Sequence, residues 1–260
     1  LYIFLSAYFG FINTSNMRNF PSNFLAMAGI VALVIVIFSF NINKISASDK
    51  SSTDESRLVA PFNEIEVSGG FEIKINQGTQ TPVKITGSED DIKHIKTEVK
   101  DNTLKIGIDN NGNKNYNIGK VIIEITVPEL YEIEAAGSST IKCNGTFGGA
   151  KDMEFSISGS GTIAIDVNAD ELDAKIAGSG EMMFSGKANE VDFTISGSGN
   201  FKGENLIANS AEISISGSGN AYLTAQNTLE VNISGSGSVY YGGSPKVNSS
   251  ISGSGKVQAK

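Results

Sequence analysis

A Gly-Ser-Gly triplet recurs along the second half of the chain, and its spacing restricts the fold more than any other feature. The triplet stands at 159–161, 178–180, 197–199, 217–219, 235–237 and 253–255, and a degenerate copy, Gly137-Ser138-Ser139, precedes them. The first glycines of successive copies are 22, 19, 19, 20, 18 and 18 residues apart. Self-similarity at such a period indicates a repeat architecture in which each unit stacks on the next.

Columns of apolar residues stand at fixed distances from the triplet. The residue two positions before each complete triplet is always isoleucine: Ile157, Ile176, Ile195, Ile215, Ile233 and Ile251. Two further columns, four positions before the triplet's first glycine and two after its last, are mostly apolar: Phe155, Ala174, Phe193, Ile213, Val231 and Ser249, then Ile163, Met182, Phe201, Ala221, Val239 and Val257. The intervening residues are small or polar. Since successive side chains of a strand point to opposite faces, the apolar columns should point inward and the intervening residues should face water. Each repeat is therefore predicted to be a strand, a glycine corner and a second strand.

These columns predict an all-β fold, a right-handed parallel β-helix or solenoid with ISGSG repeats of about 18–22 residues. Stacked coils would bury a continuous core with isoleucine ladders along it. The right hand is inferred only from the general preference of parallel crossovers. A β-sandwich of hairpins is the alternative, but hairpin register is set pair by pair and does not require one residue type at one phase in every repeat. A propeller blade needs about twice this repeat length.

The predicted solenoid spans 61–260, with irregular coils over 61–135 and regular ISGSG coils over 136–260. Short alternating apolar runs mark strands in the irregular part, for example Ile73 and Ile75, or Ile123 and Ile125. The charged segment 89–95 is expected to form a helical turn at an edge crossover. Residues 48–60 (SDKSSTDESRLVA) lack apolar periodicity and are expected to form a flexible linker.

Residues 1–47 have the pattern of an export segment. An apolar run from Phe24 to Phe40 follows Arg18 and precedes small residues around Ala47, which is typical of a signal peptide. We expect translation to start at Met17, with 1–16 a gene-model extension, and cleavage after Ala47. The alternative is a retained N-terminal membrane anchor, because 17 apolar residues approach the length that spans a bilayer. Both readings place the folded part outside the cytoplasm, in the periplasm, the outer membrane or at the cell surface.

Charge and singleton residues argue against several functional classes. The net charge is −8, and −10 without residues 1–47, so the chain should repel phosphate backbones, and we expect no nucleic-acid partner. One cysteine, Cys143, and one histidine, His94, exclude a disulfide framework and disfavour a histidine metal site. The triplets lack the lysine and following helix of a phosphate loop. The acids appear scattered: Asp166, Asp170, Glu171, Asp173 and Asp192. We therefore predict no catalytic, cofactor-binding or metal-ligating residue.

Several segments together resemble a known family. The export segment, the opening FNEIEVSGGFEIKI at 62–75, Val127-Pro128-Glu129-Leu130 and the ISGSG train resemble the head GIN domain family of auto-transporter adhesins of Bacteroidetes, over about residues 62–243. The resemblance implies an exported β-solenoid with an adhesin function and supplies no catalytic residues. This sequence shows no large porin-like translocator domain.

Three functional hypotheses remain open. The first is an exported, non-enzymatic adhesion module that presents hydroxyls, amides and the aromatics Tyr222, Tyr240 and Tyr241 to glycan or surface protein. The second is a structural or assembly role, with the open edge of the C-terminal coil pairing with another chain or another copy. The third is a polysaccharide-active enzyme, since such enzymes also use β-solenoids.

Overall fold

The computed structural model describes residues 52–109, 118–149 and 152–260. The predicted export segment and residues 48–51 lie outside the described residues. In chain order the elements are β1 Ser52–Arg57, β2 Glu64–Gly69, β3 Glu72–Gln77, β4 Val83–Ser88, α1 Glu89–Ile92, β5 Ile95–Lys100, β6 Thr103–Ile108, β7 Ile122–Val127, β8 Glu132–Gly137, β9 Thr140–Gly148, β10 Asp152–Gly159, β11 Thr162–Gly178, β12 Glu181–Gly197, β13 Asn200–Gly217, β14 Asn220–Gly235, β15 Ser238–Gly243, β16 Lys246–Gly253 and β17 Lys256–Ala259. Within the described ranges, no helix has the length and apolarity needed to cross a membrane.

The strands form a β-solenoid, as the repeat predicts. A first ladder of parallel strands leads into the glycine corners and contains β6, β2, β8, β10, the second halves of β11 to β14, and β16. A second ladder leaves the corners and contains β7, β3, β9, the first halves of β11 to β14, β15 and β17. The predicted right hand of the winding stays a prediction.

Equivalent residues of successive coils lie directly beside one another. Ile176 pairs with Ile157 on one side and Ile195 on the other, and the register continues through Ile215 and Ile233. The four isoleucines 157 to 215 are at most 2% exposed. Aromatic rings fill the space between the ladders, with Phe193 stacked on Phe201 and Phe184 edge-on to both Phe155 and Phe201. The inward columns predicted from the sequence are therefore confirmed.

The glycine corner is required by close backbone packing between coils. Gly197 has a φ of +127°, and a Cβ there would lie 2.4 Å from the carbonyl oxygen of Gly178. That oxygen accepts a hydrogen bond from the backbone N–H of Ser198 at 2.8 Å. The degenerate copy keeps the same corner, since Gly137 has a φ of +111° and the Ser138 N–H donates to the Gly69 carbonyl. In addition, the buried hydroxyl of Ser139 donates to that carbonyl and accepts from the Phe71 N–H.

The first coils follow an order that the sequence did not reveal. Strand β3 lies between β7 and β9, and β2 lies between β6 and β8, although none of these pairs is consecutive. Antiparallel strands finish this end, since β5 pairs with β6 and β4 pairs with β7. The predicted helical turn within 89–95 is present as α1, whose N-cap Ser88 accepts a hydrogen bond from the Asp91 N–H.

The interpretation of 48–60 as a flexible linker is wrong for residues 52–57. These residues form β1, which pairs antiparallel with β4. Its polar side chains bind the sheet from outside: Asp54 lies 3.0 Å from the ammonium of Lys84, and Arg57 donates to the carbonyls of Ile92 and Ile95. Backbone pairing, rather than apolar burial, stabilises this strand, so the strand has no apolar alternation.

At the opposite end, the last described coil has a neighbour on one side. Among the described residues, β16 pairs only with β14 and β17 only with β15. Ile251, the last member of the isoleucine column, is 41% exposed. The coil that carries the last triplet therefore exposes part of the core layer.

Candidate functional site

The two ladders give the solenoid two outward faces with different chemistry. Outward side chains of the first ladder are acidic near the start of each strand and become small and polar toward the corner. Outward side chains of the second ladder include amides, lysines and two tyrosines. Successive coils are in register apart from local shifts in the pairing of β9, β13 and β14, so a residue type repeated in sequence becomes a row along the molecule.

The first face carries a row of carboxylates, here named the acid ladder. One acid per coil stands five residues before the first glycine of the corner, and the row ends at an amide: Glu64, Glu132, Glu154, Asp173, Asp192, Glu212, Glu230 and Asn248. Neighbouring members are separated by one strand spacing, about 4.8 Å between backbones. The acids that seemed scattered are thus partly organised, since Asp173 and Asp192 are direct neighbours.

Electrostatics within the acid ladder are unfavourable to its charged form. Loss of solvation raises the pKa of Glu132, and the nearby carboxylates of Glu64 and Glu154 raise it further. The pKa of Asp173 is raised in the same way by loss of solvation and by Asp192. A shallow groove of about 410 Å³ lies along the C-terminal part of the ladder, from Asp192 to Asn248. Across the described part of the chain, no three potential ligands are placed to hold a metal ion.

The second face carries a stacked tyrosine pair. Tyr222 and Tyr240 are in register on β14 and β15, with ring centroids 4.9 Å apart and an interplanar angle of 10°. Both side chains are half-buried. Tyr241, grouped with them in the sequence analysis, instead pairs with Leu223 and packs against the core, because adjacent residues of a strand point to opposite faces.

Polar and charged side chains surround the pair. Lys202 precedes Tyr222 in the same row and Gln258 follows Tyr240. Lys260 extends back over the face: its ammonium lies 4.5 Å from the centroid of the Tyr222 ring and 3.3 Å from Oε1 of Glu204. We name this surface the tyrosine face and define it as Lys202, Glu204, Tyr222, Tyr240, Gln258 and Lys260.

The two singleton residues, His94 and Cys143, lie in different parts of the fold. His94 is in the turn after α1, where its Nδ1 lies 3.2 Å from the carbonyl oxygen of Asp109. Cys143 is half-buried against the core, and burial raises the pKa of its thiol to about 12. Cys143 lines the same shallow surface groove as Lys202 and Glu204 of the tyrosine face.

Comparison with known protein families assigns the chain to one of them. Residues 61–245 match the family described as "Putative auto-transporter adhesin, head GIN domain". The chain belongs to this family. The match confirms the resemblance seen in the opening segment and the ISGSG train, and extends it slightly beyond residues 62–243. No curated protein matches the chain.

Several solved structures are similar to this head GIN domain chain. A protein of Bacteroides fragilis described as a putative adhesin is 27% identical, with a TM-score of 0.74, and the alignment covers 82% of this chain and 98% of that one. Two Parabacteroides distasonis proteins, a "putative lipid binding protein" and a "putative adhesin", are each 24% identical with TM-scores of 0.68 and 0.63 and the same coverage. The latter two show the shared fold alone.

The acid ladder and the geometry of the tyrosine face were missed by the sequence analysis. A signal for the acid ladder was present, since an acid occurs at the same distance before the glycine in every complete repeat but the last. The stacking of Tyr222 on Tyr240 follows from their common phase in successive repeats. No sequence signal placed Lys260 over the ring of Tyr222.

Proposed function

We propose that this chain is an exported, non-enzymatic adhesion module that binds surface glycans through its tyrosine face. The stacked, half-buried pair Tyr222 and Tyr240 is the observation that carries the proposal. Tyrosine offers a rigid ring with large contact area and a hydroxyl that hydrogen-bonds, and it loses little conformational entropy on binding. Sugar rings present flat C–H surfaces edged by hydroxyls, which suits such rings.

Membership of an adhesin family supports a binding role, and the surroundings of the tyrosine pair support a polar ligand. Gln258 is the next residue of the row, and the amide of Asn220 donates to that of Asn200 at 3.1 Å in the neighbouring row. Amide side chains offer both donors and acceptors to hydroxyl groups. The acid ladder is a poorer candidate, because its carboxylates would have to be brought close to a glycan without a compensating charge.

Binding to an array of bacterial and host glycans tests the proposal. The parent chain should bind a subset of glycans, and the double variant Tyr222→Ala, Tyr240→Ala should lose that binding by at least about tenfold. Tyr131→Ala is a matched control, since the hydroxyl of Tyr131 donates to the exposed carboxylate of Glu129 and the backbone bonds of Tyr131 are kept in the variant. Equal binding by the parent and the double variant would remove the tyrosine face from the proposal.

Export is proposed from the apolar segment 24–40, its preceding Arg18 and the small residues around Ala47. Mass spectrometry of the N-terminus of the native protein, after cell fractionation, tests it. A mature chain that starts at Ser48 in an extracytoplasmic fraction is the expected result. A chain that retains 24–40 in the membrane fraction would favour the anchor over the cleaved signal, and a cytoplasmic location would contradict export.

A second candidate function is assembly through the open C-terminal edge. The observation behind it is that, in the described part of the chain, β16 and β17 each have one neighbouring strand, and that Ile251 is exposed. Unpaired strand edges accept further strands, and edge lysines discourage this. Replacing Lys256 and Lys260 by valine should increase self-association in analytical ultracentrifugation. A variant that stays monomeric at high concentration would contradict assembly through this edge.

A further inference from the structure

The ammonium group of Lys260 lies in a small cation-binding site on the tyrosine face. The ammonium lies over the ring of Tyr222 and beside the carboxylate of Glu204. An aromatic face and a carboxylate together bind cations, the ring through its quadrupole and the carboxylate through its charge and hydrogen bonds. The ammonium of Lys202, the second lysine of the tyrosine face, lies 2.7 Å from the carboxylate of Glu181 instead.

The contacts of Lys260 are weak enough to be exchanged. The side chains of Glu204 and Lys260 are 45% and 49% exposed, and ion pairs in such positions contribute little to stability. Lys260 follows the edge strand β17, which has a hydrogen-bonded neighbour on one side only among the described residues. A ligand can therefore displace the lysine without disturbing the core.

We propose that Glu204 and Tyr222 form a recognition site for the protonated primary amine of an amino sugar, and that Lys260 is its built-in competitor. The proposal rests on the proposed function and names its ligand class: glycans that carry free, non-acetylated amines. The amine replaces the ammonium of Lys260 against Glu204, while the sugar ring packs at the Tyr222 and Tyr240 pair. Gln258, next in the row, then lies within the extended site for sugar hydroxyls.

Acetylation of the amine abolishes the interaction in this account. An N-acetyl group carries no charge and cannot replace the ammonium beside Glu204. Binding should also weaken with added salt, because the site is exposed and its charges are screened. The acid ladder offers a competing, diffuse attraction for any cation, so the test must separate the two surfaces.

The test measures binding of a β-1,4-linked glucosamine tetrasaccharide by calorimetry at about 0.15 M salt. Lys260→Ala should tighten binding by about 5- to 10-fold, which is the combined weight of one exposed cation–π contact and one exposed ion pair. Lys256→Ala removes the same charge elsewhere on the last coil and should change binding by less than twofold. The N,N′,N″,N‴-tetraacetylated sugar should not respond to either change.

Comparison of sugar binding by the variants Glu204→Gln and Glu212→Gln distinguishes the proposed amine site from attraction to the acid ladder. Loss of about 5-fold or more in Glu204→Gln, with little change in Glu212→Gln, supports the proposal. Equal loss in the two variants would reduce the binding to diffuse charge attraction and overturn it. Binding of tetralysine, but not of the amino sugar, with the same dependence on Glu204 and Lys260 would overturn the sugar assignment in favour of a peptide amine.

Different experimental results would contradict the proposed adhesion and the proposed amine site. If glycan-array binding depends on Tyr222 and Tyr240 but ignores Glu204→Gln, adhesion stands and the amine site falls. If array binding ignores the tyrosines as well, the proposed function falls with it.

Discussion

Replacement of Ile195 by alanine tests the stacked core quantitatively. The side chain is fully buried, lies in register between Ile176 and Ile215, and its Cγ2 faces the backbone of the Gly219 corner. Neighbouring coils hold the strand on both sides, so the site cannot collapse freely onto the cavity. Truncation of such a residue costs about 2–5 kcal/mol. Against a typical margin of 5–15 kcal/mol, this is a large share of the stability of the fold.

Urea unfolding, followed by circular dichroism, measures the loss as a lower transition midpoint. Thr194→Ala is the matched control, since Thr194 precedes Ile195 on the same strand and points outward. It should change the free energy of unfolding by about 0.5 kcal/mol or less. The reasoning would be refuted if the two variants lost the same small amount, because stacking then would not bury Ile195. A change of slope with urea, without a change of midpoint, would instead indicate coils that unfold separately.

Three further predictions follow from the corner, the acid ladder and the thiol. Gly197→Ala should destabilise the chain by more than about 1 kcal/mol, because φ at Gly197 is +127° and the new Cβ would lie 2.4 Å from the Gly178 carbonyl oxygen. Gly70→Ala, with open space around its Cβ position, should cost less, and thermal unfolding of the two variants compares them. The pKa of Asp173 is raised in the folded state, so its ionised carboxylate destabilises the fold above that pKa, and this destabilisation disappears as the pH falls below the ordinary pKa of 3.8. Asp173→Asn should therefore raise the melting temperature at about pH 7 and lose this advantage near pH 3. An advantage that grows on acidification would contradict the raised pKa. Burial raises the pKa of the Cys143 thiol to about 12, so iodoacetamide should modify it much faster in urea than in the native protein at pH 8, and equal rates would contradict its burial.

The regular coils were predictable because each repeat contains the residues that determine its own register. A fixed isoleucine two residues before a glycine corner determines which side chains point inward, and the structure places Ile157 to Ile233 accordingly. The same reasoning, applied to outward positions, would have found the acid ladder. It would also have excluded Tyr241 from the outer face, since Tyr240 and Tyr241 are adjacent on one strand.

The irregular coils were not predictable to the same degree. Alternating apolar residues identify β3 and β7 as strands, but the insertion of β3 between β7 and β9 depends on long-range pairing that leaves no local signal. Strand β1 has no buried side chain, so its sequence resembles a linker. Lys260 reaches Glu204 across 56 positions of sequence, and only the coil geometry brings them together.

The most direct test of adhesion through the tyrosine face blocks each face in turn. Gln258→Cys places a thiol on the tyrosine face and Ser214→Cys places one on the first face, both in a Cys143→Ser background because native Cys143 is only half-buried. Each variant is coupled to a bulky maleimide polymer, and adhesion of the labelled protein to glycan-bearing cells is measured. The account predicts that polymer at Gln258→Cys abolishes adhesion and that polymer at Ser214→Cys leaves it intact. Adhesion that survives the block at Gln258→Cys and is lost with the block at Ser214→Cys would contradict the account.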